Sequence, residues 1–250
     1  MTMPIQPIVL VTDFGDGIYV GQMRARLGNL LPAVPVVDLV HDLPPFRADL
    51  AAYLLPALIR DMPGGGIYVC VVDPGVGSER GGLLVGAQDC WFIGPDNGLL
   101  APLVHCSDGA SVARIGWRPA ALSASFHGRD WFAPAAARLV AGEDLQPTPI
   151  DSAEMVGSDW PSERAAVVYV DRFGNLMTGL RAANHGSMQS LRIGTRTLAH
   201  ARTFCEVMPG EAFWYENALG LVEIAVNQGR ADCLLGLSPG DSIGPFTHPN

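Results

Sequence analysis

Two hydrophobic patterns divide the chain, and each predicts a different kind of structure. Over roughly the first 140 residues, short β-branched runs alternate with longer segments in which apolar residues recur at helical spacing. In the segment 46–60, the apolar positions at this spacing are Leu50, Tyr53, Leu54, Ala57 and Leu58. Alternation of this kind predicts an α/β fold, in which a mainly parallel, Rossmann-like sheet is covered by helices on both faces.

The predicted elements of this N-terminal region are strands and helices in alternation. Strands are expected at Ile8–Thr12, Val34–Val40, Ile67–Val72, Leu83–Ala87 and Cys90–Ile93. Helices are expected at about Tyr19–Leu31, Phe46–Arg60 and Trp131–Ala141. Polar residues that directly follow the strands are candidates for function, because ligands of open α/β sheets bind beyond the carboxyl ends of the strands.

After residue 164 the pattern changes to short apolar runs separated by Gly, Asn and Pro turns. These runs predict strands and no convincing helix: Val167–Val170, Leu191–Ile193, Phe213–Tyr215 and Leu221–Val226. We expect a smaller, all-β C-terminal domain, interpreted as a barrel. The segment 146–164 is rich in Pro, Ser, Asp and Glu and predicts a linker. The predicted domains are therefore 1–145 and 165–250.

The charge balance narrows the class of partner. The net charge is −9 and the 16 basic residues are scattered, whereas nucleic-acid binding calls for a basic patch. No run approaches the ~18–20 apolar residues of a membrane span. All the basic residues are arginines, which excludes Walker-type phosphate loops, Schiff-base lysines and protein kinases. The expected partner is a small molecule, with neither nucleic acid nor membrane involved.

The cysteines and the N-terminus predict a cytoplasmic protein. The cysteines are odd in number and too widely spaced for a zinc site: Cys70, Cys90, Cys106, Cys205 and Cys233. We expect them to be reduced, and the N-terminus lacks the charged and apolar regions of a signal peptide. Hydrophobic residues make up 48% of the chain, and an oligomer interface would account for that apolar surplus.

Three polar clusters follow predicted strands of the N-terminal region. Asp73 ends one strand, and a tight Pro-Gly turn holds Arg80 beside it. Asp13 ends another strand and is a candidate for binding ribose hydroxyls. His127 precedes Gly128, which permits close approach of a ligand. An Asp, an Arg and a His at one sheet edge can bind and polarise a water. The competing interpretation is structural: turn or helix caps, a surface ion pair and a packed histidine.

The C-terminal region offers two polar motifs, Asp171–Asn175 and Asn217–Ala225. The Phe-Gly-Asn turn of the first motif suits presentation of the Asn175 amide to a purine edge, with Phe173 nearby. A plain hairpin turn explains the same residues. The motif alone therefore leaves the choice open.

Together these motifs resemble the S-adenosyl-L-methionine hydroxide adenosyltransferase family, whose relatives include the fluorinase and chlorinase enzymes. The matching stretches are Thr12–Gly15, Val72–Ser78 with Arg80, Gly94–Gly98, Phe126–Asp130, Asp171–Asn175 and Leu221–Gly229. Each motif alone is weak. Their occurrence in family order, over nearly the whole chain, is specific.

The resemblance implies a homotrimer of α/β and β-barrel domains, with each active site between the first domain of one subunit and the second domain of its neighbour. The implied reaction is attack of water or hydroxide on the ribose C5′ of S-adenosyl-L-methionine, which releases L-methionine and adenosine. The family's catalytic triad maps onto Asp73, Arg80 and His127. Neither a metal nor another cofactor is implied, because S-adenosyl-L-methionine is the substrate.

The resemblance also implies the substrate-binding residues. Asp13 would hold the ribose hydroxyls, Phe46 would pack on the nucleoside, and Asp171 would meet the methionine ammonium. The adenine would contact Asn175, Phe204 and the backbone near Val226 and Gln228. Two departures stand out: the Asp171–Asn175 loop is one residue shorter than in the fluorinase, and Ala218 replaces a serine near the methionine carboxylate. Recognition of the methionine end is therefore expected to be weaker or backbone-based.

The identity of the nucleophile separates the hydrolases from the halogenases. The halogenating relatives replace the triad aspartate and histidine with tyrosine. The fluorinase also carries halide-site hydroxyls at the positions of Gly128 and Val76. The acid–base groups are present here and the hydroxyls are absent, which favours water. The alternatives are a halogenase, a metal-dependent nucleotide hydrolase using Asp13, Asp16, Asp73 and His127, and a non-catalytic adenosine-binding protein.

Overall fold

The computed structural model describes residues 7–247, and these residues group into two units. The first unit contains the described residues up to Ala52 together with Met62–Trp160, and the second contains Tyr53–Asp61 together with the described residues from Pro161 onward. The segment 146–160, which its composition predicts as part of a linker, groups with the first unit. The domain ends predicted at 1–6 and 248–250 lie outside the described residues.

The first unit contains a seven-stranded sheet with strand order β2-β1-β3-β5-β4-β6-β7. The strands are β1 (Ile8–Thr12), β2 (Val36–Val40), β3 (Ile67–Val71), β4 (Gly82–Ala87), β5 (Cys90–Pro95), β6 (Ser111–Ile115) and β7 (Pro147–Pro149). β1 and β3 are buried along their whole length, as expected for continuous β-branched runs in a sheet covered on both faces.

The sheet is mixed rather than mainly parallel. Strands β2, β1, β3 and β5 are parallel neighbours, whereas β4, β6 and β7 join by antiparallel pairing. The change of direction follows from the two-residue turn Gln88–Asp89, whose φ values of 51° and 58° are those of a tight hairpin. β6 and β7 were not predicted, since β6 is only partly buried and β7 contains two prolines.

Helices of the first unit pack their apolar positions against this sheet. They are α1 (Ile18–Leu30), α2 (Ala48–Ile59), which crosses the division between the units, α3 (Ala101–His105) and α4 (Ala133–Val140). In α1 the buried residues are Val20, Met23 and Leu27, at helical spacing. A π-helical turn, Gly128–Phe132, leads directly into α4. Within residues 7–247, no helix combines the length and hydropathy needed to cross a membrane.

The second unit contains two antiparallel sheets, with orders β12-β13-β9-β8 and β11-β10-β14. Their strands are β8 (Arg164–Val170), β9 (Leu176–Arg181), β10 (Ser190–Ile193), β11 (Arg196–Leu198), β12 (Ala212–Glu216), β13 (Leu221–Val226) and β14 (Phe246–Thr247). The expectation of no helix in this region is wrong, because α5 spans Ala231–Leu235 and ends at the left-handed Gly236. Five residues are too few to produce a visible helical period.

Candidate active site

The carboxyl ends of β1 and β3 bring two aspartates to the same edge of the sheet. The two strands are parallel neighbours, with Thr12 paired to Val71. Asp13 directly follows β1, and Asp73 follows β3 after one further residue. Burial raises the pKa of Asp13, and the charge of Asp73 adds to that effect. This edge therefore concentrates negative charge, which a cation must offset.

The turn after β3 supplies that cation by returning Arg80 to Asp73. Gly77 has a φ of 84°, and a Cβ on it would lie 2.5 Å from the Ala124 carbonyl oxygen, so the turn requires glycine. The Nε of Arg80 donates to Oδ1 of Asp73 at 2.7 Å, and its Nη2 donates to Oδ2. The side chains are 8% and 4% exposed respectively, so this is a buried, bidentate pair.

Arg80 also fixes the protonation of His127. Its Nη2 lies 3.0 Å from Nδ1 of His127. A guanidinium has only donors, so Nδ1 accepts and the neutral ring carries its proton on Nε2. Burial lowers the pKa of His127, and the charge of Arg80 lowers it further. At neutral pH His127 is therefore uncharged and presents an Nε2–H donor.

The π-helical turn positions His127 at the end of a rigid aromatic cluster. Ala133 N donates to Gly128 O across the turn, and the His127 ring meets Trp131 edge-on at 5.7 Å. The guanidinium of Arg80 lies 5.2 Å from the Phe132 ring centroid. The cluster explains why His127 is only 3% exposed. Its packing holds the imidazole and the guanidinium in one orientation.

A cavity of about 410 Å³ opens beside this network. Asp73 and His127 line it, together with an aromatic trio whose ring centroids lie 6.0, 5.7 and 5.3 Å apart. The trio is Phe14, Tyr19 and Phe126. Val76 and Gly128 also line the cavity. The network therefore offers a carboxylate and an imidazole to the cavity, and Arg80 holds both of them from its buried position.

Asp13 and Phe46 form a second contact at the same sheet edge. The Phe46 N–H donates to Oδ2 of Asp13 at 3.0 Å. Phe46 is in the left-handed conformation, with a φ of 63°, and its side chain is 73% exposed. A non-glycine residue in this conformation costs about 1–3 kcal/mol and is typical of functional sites. The exposed ring is therefore available to a ligand.

In the second unit, Asp171 organises the short loop between β8 and β9. Its Oδ1 accepts from the backbone N–H groups of Phe173 and Asn175, both at 2.8 Å. Its Oδ2 accepts from the Asn175 side-chain amide at 2.9 Å. Gly174 has a φ of 84°, which completes the turn. The structural and the functional interpretations of the Phe-Gly-Asn turn therefore coexist, because the same loop lines a cavity.

This second cavity has a volume of about 650 Å³ and gathers most of the predicted binding residues. The predicted residues that line it are Asp171, Asn175, Phe204, Val226 and Gln228. Tyr215 and Arg230, which were not predicted, line it as well. Tyr215 and Phe213 are two positions apart in β12 and so lie on the same face of the strand, with ring centroids 5.5 Å apart. Two aromatic residues at this spacing were the signal in the sequence for an aromatic cavity wall.

Ala218 lies elsewhere in the second unit. It lines a separate cavity of about 470 Å³, together with His185, His200 and Arg202. Its carbonyl accepts from Nη2 of Arg60 at 2.9 Å. The structure therefore gathers the predicted adenine-side residues and separates Ala218 from them.

The Asn217–Ala225 motif contains a buried acidic residue, Glu223, which is 2% exposed and to which the sequence assigned no role. It accepts from the hydroxyl of Tyr215 and from the side-chain amide of Asn217, both at 2.6 Å. Burial raises its pKa. Within the described part of the chain, no three His, Cys, Asp or Glu side chains converge as metal ligands.

Two family models match this chain over most of its length. Residues 8–148 match the SAM hydroxide adenosyltransferase N-terminal domain, and residues 165–244 match the corresponding C-terminal domain. The chain belongs to the SAM hydroxide adenosyltransferase family. The resemblance found in the motifs is thereby confirmed.

Two relatives with the same curated name are similar to this chain over more than nine tenths of their length. A protein of Salinispora arenicola named (R)-S-adenosyl-L-methionine hydrolase is 37% identical, over 94% of this chain and 96% of its own. A protein of the same name from Thermus thermophilus is 38% identical, over 94% and 98%. A crystal structure of an uncharacterized conserved protein from Thermotoga maritima has a TM-score of 0.83 at 30% identity, covering 95% of this chain and 98% of that one. The solved structure has the same mixed α/β fold.

Proposed function

We propose that this protein is an enzyme that hydrolyses S-adenosyl-L-methionine to adenosine and L-methionine. The observation that carries the proposal is the buried Asp73–Arg80–His127 network beside a cavity. The names of the Salinispora and Thermus relatives support the same reaction. Water oxygen forms a bond to the ribose C5′, the C5′–S bond breaks with its electrons going to sulfur, and one water proton is released.

The difficult step is activation of the water. Methionine leaves as a neutral thioether and needs no acid, and the sulfonium charge disappears as the bond breaks. Water is a weak nucleophile, so a base that removes its proton contributes about 10²–10⁴-fold. Holding the water in line with the C5′–S bond adds a comparable or larger factor. The reaction therefore depends on groups that orient the water and accept its proton.

Asp73 is the proton acceptor in this proposal, and His127 orients the water. The argument rests on the hydrogen bonds of Arg80, which occupy Nδ1 of His127 and leave an Nε2–H. That N–H can donate to the water oxygen but cannot take a proton from it. Each carboxylate oxygen of Asp73 has a second acceptor site besides its bond to Arg80. Arg80 is then a positioning residue that orients the Asp73 carboxylate and holds His127 as the neutral tautomer with its proton on Nε2.

The substrate-binding assignments form the second part of the proposal. Asp13 binds the ribose hydroxyls and Phe46 packs on the nucleoside, supported by the Phe46 conformation. Adenine enters the cavity of the second unit against Asn175, Phe204 and the edge near Val226 and Gln228, and Asp171 meets the methionine ammonium. The separate position of Ala218 supports backbone-based or weaker recognition of the methionine carboxylate.

The assembly forms the third part of the proposal. The family resemblance supports a homotrimer whose active sites combine the first domain of one subunit with the second domain of its neighbour. Such an assembly joins the two cavities into one site. A closed barrel in the C-terminal domain, the domain limits 1–145 and 165–250, the cytoplasmic location and the lack of a cofactor belong to the same proposal.

Turnover of S-adenosyl-L-methionine by the purified protein tests the function. We expect equimolar adenosine and methionine on chromatography, unchanged by chelator treatment. Loss of activity with chelator would indicate a metal-dependent hydrolase. A 5′-halo-adenosine at saturating chloride or fluoride would indicate a halogenase. Tight adenosine binding without turnover by folded protein would indicate a binding protein, and each of these results would overturn the proposal.

A further inference from the structure

The starting point is the environment of Glu223 on β13. Its neighbour across the sheet is Tyr215 on β12, since the two residues are directly paired in register. Side chains of paired residues lie on the same face. The Tyr215 hydroxyl donates to one carboxylate oxygen of Glu223, and the Asn217 amide donates to the other. Both oxygens of this buried carboxyl group therefore accept hydrogen bonds from neighbouring side chains.

Each donor belongs to a different part of the second unit. Tyr215 forms part of the wall of the second cavity, facing Phe204 at 5.5 Å between ring centroids. Asn217 begins the turn that leads into β13. Its Oδ1 accepts from the backbone N–H groups of Leu219 and Leu221, at 2.9 and 3.0 Å. Glu223 thus joins the cavity wall to the turn.

The hydrogen-bond pattern also fixes the direction of the Asn217 amide. Backbone N–H groups are donors only, so Oδ1 of Asn217 must face the turn and its Nδ2 must face Glu223. Removing Glu223 would leave the Tyr215 hydroxyl and the Asn217 amide without their acceptor in a buried place. Such groups move toward other partners or toward water. The Tyr215 ring would then lose its fixed position in the cavity wall.

We infer that Glu223 is a positioning residue for the adenosyl cavity and acts through Tyr215. The inference rests on the proposed function, because it assumes that the second cavity binds the adenosyl group. Glu223 itself is not among the residues that line the second cavity, so it would act on the ligand only through Tyr215. Its effect is therefore expected in substrate and product affinity, and not in the rate of the chemical step.

A double-mutant cycle on adenosine affinity tests this inference. Isothermal titration calorimetry gives the adenosine Kd for the wild type, Glu223→Ala, Tyr215→Phe and the double variant. We expect Glu223→Ala to raise the Kd about tenfold and Tyr215→Phe about threefold to tenfold. The double variant should bind adenosine no more weakly than Glu223→Ala does. Both substitutions break the same hydrogen-bond network, so their effects on the Kd should not add.

Kinetics supply the readout that general destabilisation would not produce. For Glu223→Ala we expect a KM about tenfold higher, with kcat within about twofold of the wild type. Glu223→Gln should return the Kd to within about threefold of wild type, since its amide can donate to the Tyr215 oxygen and accept from Asn217. Tyr215→Phe keeps the test decisive if Glu223→Ala does not fold.

Thr178 provides a matched control in the same sheet. It is fully buried and its hydroxyl donates to the Val222 carbonyl at 2.8 Å. Thr178→Val should lower the midpoint of thermal unfolding and leave the adenosine Kd unchanged. The inference would be overturned if the effects of Glu223→Ala and Tyr215→Phe on the Kd were additive. An unchanged Kd in Glu223→Ala, or a Glu223→Gln variant that does not restore affinity, would overturn it as well. Absence of turnover and adenosine binding in the wild type would instead overturn the proposed function.

Discussion

The Arg80 network of the first cavity and the Asp171 loop of the second cavity are built in different ways. In the first unit, Arg80 reaches Asp73 across seven positions and His127 across 47. In the second unit, Asp171 binds groups no more than four positions away. A long-range network fails as a whole when one member is lost, whereas a local loop keeps much of its geometry. The first cavity should therefore respond more steeply to single substitutions than the second.

Asp73→Asn should have the largest effect. An amide is neither a base nor an adequate partner for the Arg80 guanidinium, so we expect kcat to fall by about 10³-fold or more. The adenosine Kd should stay within about threefold, because adenosine needs no base. Steady-state kinetics and calorimetry on the same preparation provide both values.

Asp16 is the control for Asp73, since it is an exposed acidic residue only three positions after Asp13. Asp16→Asn should leave kcat within about twofold. A comparable loss in both variants would favour the metal-dependent alternative, in which the two carboxylates share a role. A fall in adenosine affinity equal to the fall in kcat would show that Asp73 mainly binds ligand.

Arg80→Lys should have the next largest effect, about 10²-fold in kcat/KM. Lysine has one ammonium group and cannot bind both oxygens of Asp73 and Nδ1 of His127 in the same fork. The midpoint of thermal unfolding should also fall, because a buried pair is broken. The exposed pair between Arg24 and Asp38 is the control, with side chains 46% and 38% exposed. Arg24→Lys should change neither activity nor stability appreciably.

The pH dependence of kcat/KM should show an acid limb that lies below the ordinary pKa of histidine. The pKa of His127 is lowered in the folded protein, mainly by burial and also by Arg80. The active, neutral ring therefore persists below the ordinary histidine pKa, and activity is lost only as the pH falls through the lowered value. The same shift costs stability over that range, because the unfolded chain binds the proton more readily.

His127→Gln should remove this acid limb and lower kcat/KM by about 10–10²-fold, since an amide N–H can still donate to the water. A pH–rate profile of both proteins checks the assignment. An acid limb that persists unchanged in His127→Gln would assign the titration to another group. Asp13, whose pKa is raised, is the next group to substitute in that case.

The same contrast explains what the sequence could predict. The alternation of buried runs and helical segments predicted β1, β3 and the helices around them, since those elements are set by local pattern. Strand β4 was predicted too, but its antiparallel direction was missed, because that direction depends on a two-residue turn. The edge strands β6 and β7 were missed because they carry little hydrophobic signal. A short helix, α5, was missed for the same reason.

The candidate site shows the same limit. Strand-end residues such as Asp73 are visible in a sequence, because their position in an α/β sheet is predictable. The role of Glu223 as acceptor for both Tyr215 and Asn217 cannot be predicted from the sequence. Glu223 lies in an apolar run, and its partners are set by the register of the strands. The tautomer of His127 is a property of the folded network alone. Positions along elements are therefore predictable, and hydrogen-bond partners between elements are not.

Gly128→Ser, combined with Val76→Thr, should have the smallest effect. A Cβ on Gly128 would lie 3.4 Å from the Sδ of Met23 and from the Phe14 ring, so the side chain fits with small shifts. We expect adenosine formation to fall by no more than about threefold to tenfold. At saturating chloride no 5′-chloro-adenosine should form, because Asp73 and His127 still bind and activate water in the cavity. Chromatography of the products with and without chloride measures this. A halogenated product would mean that the missing hydroxyls, rather than the charged network, select the nucleophile.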